Sequence, residues 1–449
     1  MKNYRIEIPA GAARILKVLE ANGYEAYVVG GCVRDSLLGK QPHDWDITTS
    51  ALPLQVKALF SRTIDTGLKH GTVTIPSGRG EAYEVTTYRI DGEYLDGRHP
   101  SEVTFTASLR EDLKRRDFTI NAMAYNEKDG LQDFFDGISD LENQRIRAVG
   151  DPRKRFEEDA LRILRAVRFS AQLGYTVEEE TLRAMRTLAP TLARISAERI
   201  AAELEKILVS PHPDRLRMAY ECGITAVILP EFDRCMETPQ NNPHHIYNVG
   251  EHTMCALMQA RPDRILRTAI LLHDVGKPLC RSTDEKGIDH FYGHPEAGAK
   301  IAEEILRRLK SDNETRRKTV QLVRCHDREI RLTPAGVRQA IVRIGEDLFP
   351  LLLEVKEADM LAQSTFRREE KKAHIARVRE LYAEILEHKD CLTLRDLAVN
   401  GNDLISYGIR PGKEMGRILH EMLEDVLAEP SHNDREYLLQ KWSIVTGRS

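Results

Sequence analysis

The chain has 449 residues, of which 41% are hydrophobic and 30% charged, with 66 Lys and Arg against 70 Asp and Glu. That balance excludes a disordered chain, and the length exceeds what one ordinary core accommodates, so several domains are expected. The net charge of −4 excludes a blanket nucleic-acid coat and leaves any nucleic-acid partner to local basic surface.

The N-terminal stretch "MKNYRIEIPAGAARILKVLE" is polar and amphipathic, unlike a secretory leader, and no run approaches a membrane span in length. Cys32, Cys222, Cys235, Cys255, Cys280, Cys325 and Cys391 are scattered without a C-x-x-C pair. A reducing, cytoplasmic setting is therefore expected.

In chain order, "AYVVGG" reads as a buried strand that ends on Gly30 and Gly31, followed by a short helix from Val33 to Leu38. Glycines there let backbone N–H groups approach an anion at a helix start. In "DWDITT", Asp44 and Asp46 alternate with Trp45 and Ile47, so an extended chain turns both carboxylates to one side. Two such carboxylates repel unless a cation lies between them, and hard oxygen ligands suit Mg²⁺ completed by substrate phosphates. Further strand-like runs are "GTVTIPS" and "AYEVTTYRI", and Glu84 in the second offers a third carboxylate. Taken alone, each of these features is equally at home on a solvated strand end.

In "KRRDFTINAMAYN", Arg115 and Arg116 can neutralise phosphates, and Asp117 can accept from a ribose hydroxyl. From "DPRKRFEEDALRILRAVRFSAQLGY" onward the apolar spacing is helical. On one helix Asp159 and Arg162 share a face, which by itself is an ordinary ion pair. Asp accepts and Arg donates, however. A fixed pair of the two complements a base edge with an exocyclic amine beside a ring-nitrogen acceptor. Cytosine and adenine have that edge; uracil and guanine do not. Arg165 and Arg168 continue the stripe.

"NNPHH" (241–245) is a plausible boundary into a histidine-rich helical region. Seven of the 15 histidines fall between 244 and 326. The ordered set His252, His273, Asp274, His294, His326 and Asp359 has the donors that Zn, Mn, Fe or Ni take. A charged stretch, "FRREEKKAHIARVRELYAEILEHK", then leads to a last segment beginning "LAVNGNDLISYGI". The expected fold is an α+β front domain, with a mixed sheet and flanking helices, ahead of an all-α remainder. The expected segments are an α+β head at 1–140, a helical neck at 141–240, a histidine-rich helical domain at 241–365 and a helical tail at 366–449; the resemblances given next imply for them, in that order, catalysis, base recognition, metal-dependent phosphohydrolase chemistry and tRNA binding.

With these residues in view, "GGCVRDSLLG…DWDITTSA", "EVTTYRIDG", "KRRDFTINAMAYN", "RFEEDALRILRAVRF" and "SAERIAAELEKIL" resemble, in order, the five motifs of class II tRNA nucleotidyltransferases and bacterial poly(A) polymerases. The resemblance covers roughly residues 14 to 210. It implies that Asp44 and Asp46 hold two Mg²⁺ ions, with Glu84 as a third carboxylate. It further implies that Gly31 and Arg34 touch the nucleotide phosphates, with Gly30 in the same nucleotide-binding set, that Asp117 lies where the ribose is recognised, and that Arg116 belongs to the same nucleotide-binding motif. Asp159 and Arg162 would read the base, with Arg165 and Arg168 as further nucleotide contacts. The reaction implied is template-independent addition of C, C and A to the tRNA 3′ end from CTP and ATP by two-metal transfer. The tRNA would be gripped by the shape of its acceptor and elbow.

Relatives that add only CC lack a flexible segment that "YRIDGEYLDGRHPSEVTF" resembles, which disfavours that reading. Addition of A alone, or of a poly(A) tail, stays open. The histidine set resembles the HD superfamily of metal-dependent phosphohydrolases, with His252, His273, Asp274 and Asp359 as its core and His294 and His326 as the extra ligands of two-metal members. Two other classes fit the sequence less well. A hydrolase whose front domain only binds nucleotide does not need the Asp44/Asp46 pair. A non-catalytic RNA binder conflicts with the acidic balance.

Overall fold

The structure is a computed structural model that describes residues 4–77, 81–91 and 103–445. Most of "YRIDGEYLDGRHPSEVTF" lies at 92–102, outside the described residues. The chain divides into two compact units, Met1–Pro230 and Glu231–Ser449.

The first unit is built on a seven-stranded sheet. Its strands are β1 (Ala26–Val29), β2 (Asp46–Thr49), β3 (Ile64–Gly67), β4 (Thr72–Pro76), β5 (Ala82–Thr87), β8 (Met123–Asn126) and β9 (Gly130–Asp133). Two short strands between the last groups, β6 (Arg89–Asp91) and β7 (Val103–Phe105), pair separately with each other. The sheet order is β3-β4-β5-β2-β1-β8-β9. It is mixed, as expected: β2 runs parallel to β5 and antiparallel to β1. All four residues of β1 are buried, as befits a strand with neighbours on both edges and an apolar run "AYVV". In β5 the exposed Glu84 alternates with buried Tyr83 and Val85, which is the half-buried period-two pattern.

Helices take over after the sheet. Pro152–Glu158 and Leu161–Leu173 are separate helices, and Ala197–Leu208 packs on the second of them. The second unit is helical apart from a two-stranded ribbon, Ser282–Thr283 with Asp289–His290, among the described residues. Its core helices are Val249–Gln259, Arg264–Leu272, His294–Arg308, Asn313–Cys325 and Phe349–Ala362. Among the described residues no helix is long and apolar enough to cross a membrane. The α+β front and all-α remainder are thus as read from the sequence.

Candidate functional site

The first site grows from β1, β2 and β5. Register sets Val29 opposite Asp46, and Ile47 opposite Val85. The residues one step earlier on the two parallel strands, Asp46 and Glu84, are therefore neighbours on one face. Asp44 precedes β2 and is exposed; it is not itself part of the strand. The carboxylates feel one another. Burial pushes the Asp46 carboxyl up, Arg116 opposes this, and Asp44 adds to it. Burial likewise raises Glu84, with Asp46 and then Asp44 contributing. Asp46 keeps solvent contact at the residue level, yet protein surrounds its carboxylate closely enough to disfavour the charged form. A cluster of carboxylates that suppress each other's ionisation is a donor set suited to a hard divalent cation.

Gly30 ends β1 and precedes the Gly31–Leu37 helix with φ +84°, a left-handed backbone that glycine adopts without strain. A Cβ there would lie 3.0 Å from Arg116 Nη1. The same glycine N–H donates to the Met123 carbonyl at 3.1 Å, tying the turn to β8. Arg34, one turn into that helix, donates to Asn121 Oδ1 (2.7 Å) and Asp35 Oδ1 (2.8 Å). Arg116 reaches from the other side, and its Nε is buried without a hydrogen-bond partner.

Asp117 is buried. Its Oδ2 accepts from Arg165 Nε at 2.7 Å and its Oδ1 from the Phe118 amide at 2.8 Å. Burial would raise its carboxyl, but Arg165 and these hydrogen bonds bring it down to about 2. Arg168 Nε lies 2.7 Å from Glu203 Oε2, both largely buried. Burial lowers the Arg168 guanidinium to about 10 against the pull of Glu203.

One local expectation is corrected. Asp159 and Arg162 do not lie on one continuous helix. Asp159 stands in extended backbone (φ −144°, ψ 102°) at the end of Pro152–Glu158, and the next helix begins at Leu161. Asp159 Oδ1 accepts from the Leu161 amide at 3.1 Å, so the carboxylate closes the new helix's start rather than extending the old one. Nor do the two side chains pair with each other. Asp159 Oδ2 accepts from Arg199 at 2.8 Å, while Arg162 Nη1 donates to Glu158 at 2.6 Å and Nη2 to the Arg115 carbonyl at 3.0 Å. Arg199 and Glu203, on Ala197–Leu208, are site residues that residue-by-residue reading missed. Their only signal was the quoted "SAERIAAELEKIL" motif.

The second cluster lies wholly within the second unit. His252 Nε2 is 2.9 Å from Asp359 Oδ1 and 3.7 Å from Asp274 Oδ2; His273 Nε2 is 3.2 Å from Asp274 Oδ2. On the other carboxylate oxygen, His294 and His326 Nε2 lie 3.5 and 3.6 Å from Asp274 Oδ1. His252, His273 and Asp274 form one potential ligand group, and Asp274, His294 and His326 a second. The Nδ1 atoms of His273, His294 and His326 stand 2.7–2.8 Å from the carbonyls of Ile270, Phe291 and Val323. A carbonyl only accepts, so each Nδ1 carries a proton and each Nε2 faces the cluster. His273 Nε2 is buried with no hydrogen-bond partner.

Lys277 Nζ lies 2.7 Å from Asp274 Oδ2 and donates to Gln240 Oε1 at 2.7 Å. Burial alone would raise Asp274, but His273 and Lys277 hold it well below the usual carboxylate range. Beside the cluster is a cavity of about 510 Å³ lined in part by Asp274, Lys277, His294, His326 and Asp359. All six metal-ligating positions read from the sequence are thus brought together. Lys277 and Gln240 were not foreseen.

Three stretches match models of known families: the Poly A polymerase head domain over residues 26–147, the RNA and SrmB-binding site of polymerase A over 174–236, and tRNA nucleotidyltransferase domain 2 over 291–442. The chain is 36% identical over 437 residues to the CCA-adding enzyme of Lactiplantibacillus plantarum, covering 96% of each. It is 37% identical over 429 residues to that of Levilactobacillus brevis, covering 95% of this chain and 96% of the other. Its fold is similar to a crystal structure of the Bacillus stearothermophilus CCA-adding enzyme in complex with CTP. The TM-score is 0.72 at 30% identity, over 98% of this chain and 100% of the other.

Proposed function

The chain belongs to the CCA-adding enzyme family of tRNA nucleotidyltransferases, and we propose that it adds C, C and A to the 3′ end of tRNA from CTP and ATP. The observation that carries this is the cluster of carboxylates, Asp44, Asp46 and Glu84, with Asp46 and Glu84 raised by burial and by their acidic neighbours, beside the arginine-rich rim of the glycine turn. Those three residues would hold Mg²⁺. Such ions, when bound, increase the nucleophilicity of the RNA 3′-hydroxyl and neutralise the leaving pyrophosphate.

Everything else falls to the chain. The left-handed turn at Gly30 lets the phosphates approach the helix start at Gly31, and Arg34, Arg116, Arg165 and Arg168 supply fixed positive charge where negative charge leaves. Asp117, held ionised by Arg165, accepts from the ribose. Asp159 and Arg162, an acceptor and a donor, complement the edge common to cytosine and adenine. No nucleic-acid template is needed. The seven cysteines are free in the described structure, which supports a reducing, cytoplasmic setting.

The test offers purified protein and Mg²⁺ three tRNA transcripts, ending in the discriminator base, in C, and in CC, each with CTP, ATP, UTP or GTP. Two C additions followed by one A and a stop are expected. A single A on only the CC-ended transcript would make it an A-adding enzyme, and a long A ladder on unrelated RNA a poly(A) polymerase.

A second reading is favoured by one specific observation, the two ligand groups that share Asp274. The residues fit a pair of divalent transition metals (Mn, Ni, Fe or Zn), because four inward Nε2 atoms and two carboxylates are present and His273 Nε2 otherwise has no partner. Such metals would supply a hydroxide nucleophile for a phosphomonoester or cyclic phosphate. Lys277 would keep Asp274 ionised and oriented. Release of phosphate by the metal-loaded protein, lost in Asp274→Asn, is the expected result.

A further inference from the structure

Four side chains around the first site converge on one ring. Phe169 is buried, 5% exposed, on the Leu161–Leu173 helix. The Arg168 guanidinium carbon lies 4.2 Å from the ring centroid, that of Arg34 5.2 Å, and that of Arg165 5.5 Å. Phe118, the residue after Asp117, meets the same ring edge-on at 5.6 Å and 79°. Guanidiniums within about 6 Å of a ring centroid are attracted by its quadrupole, the more so when desolvated. Each arginine also has its own carboxylate: Asp35 for Arg34, Asp117 for Arg165 and Glu203 for Arg168. Those pairs neutralise charge, but they come from three different segments and do not fix the arginines relative to one another. Phe169 is common to all three.

We propose that Phe169 is a positioning residue for nucleotide binding: its ring gathers Arg34, Arg165 and Arg168 into one array, registered through Phe118 to Asp117. The inference rests on the reading that these arginines contact the nucleotide. An alkyl side chain of similar volume fills the same space without the negative ring face. The three cations then repel across it, and the array opens before substrate arrives. The loss falls on binding rather than on chemistry, because the ring acts through the arginines and not through the carboxylates proposed to hold Mg²⁺.

The experiment uses the full-length protein with Phe169→Leu and a series in which residue 169 is phenylalanine carrying one, two or three ring fluorines. Fluorination drains the ring face with little change in size. The Phe169→Leu variant is expected to raise KM for both CTP and ATP about tenfold while kcat changes less than twofold. Across the fluorinated series log KM should climb with each fluorine, at nearly constant Tm. A flat KM across that series would overturn the proposal and leave Phe169 as packing alone. Arg165→Ala is run alongside. An unchanged KM there would defeat the underlying reading of the arginines, whereas a raised KM beside a flat fluorine series would sink only the role of the ring.

Discussion

The head carboxylates and the histidine cluster solve the same electrostatic problem in opposite ways. Asp46 and Glu84 sit on neighbouring interior strands with Asp44 just ahead of them, and burial, with charge from the neighbouring carboxylates, disfavours ionisation of Asp46 and Glu84. Asp274 is buried at 1% exposure and is held ionised by His273 and Lys277. The first arrangement is incomplete without something positive that arrives from outside, which suits ions that travel with a triphosphate. The second is preformed, three of its four imidazoles locked by carbonyls on their outer nitrogens, which suits metals that stay. The lesson is that ligand count alone does not distinguish a visiting ion from a resident one. What does is whether the groups were stabilised before the ion came.

The sharpest way to break that comparison is to remove one carboxylate from each cluster. Asp46→Ala should cut CTP and ATP incorporation by more than a thousandfold in a primer-extension assay, with phosphate release from the second unit unchanged. Asp274→Asn should do the converse, emptying the protein of transition metal by elemental analysis while CCA addition stays within twofold. If Asp46→Ala also abolished phosphate release, the two sites would not be independent.

Smaller effects sharpen the contrast within the first unit. Glu203→Ala strands Arg168 in a site that already lowers its guanidinium, and a buried charge left unpaired costs about 3 kcal/mol. Denaturant melts should show that loss. Asp117 supplies a pH test. Its folded value of about 2 lies below the ordinary 3.8, so its stabilisation, about 2 kcal/mol, is present above pH 4 and lost as pH falls toward 2. Acid unfolding of the wild-type protein should therefore be steeper over that window than that of Asp117→Asn, where the titrating group is gone.

Much of this was legible in the sequence. The "DWD" alternation and the "AYEV" strand anticipated the adjacency of Asp46 and Glu84, because the side-chain period of a strand leaves little choice once both are in one sheet. The order of histidines and aspartates from 252 to 359 anticipated the second cluster. The helix break at Asp159 was not legible: "RFEEDALRILRAVRF" keeps its apolar spacing straight through it, and a capping Asp between two helices reads like any Asp within one. Phe169 was equally hidden. A phenylalanine on an apolar stripe signals core, and nothing in the linear text tells that Arg34, more than a hundred residues earlier, comes to rest on its ring.

The interrupted helix has one more consequence. Asp159 already holds Arg199, and Arg162 already holds Glu158 and the Arg115 carbonyl. In the proposed role of these two residues, reading a base is therefore a competition, in which the newcomer must displace existing partners. A base offering only one of the two complementary groups would free one side chain and leave the other where it was. On that proposal the resting contacts act as a threshold, so that discrimination against uracil and guanine would need no steric clash, only the failure to win both exchanges at once.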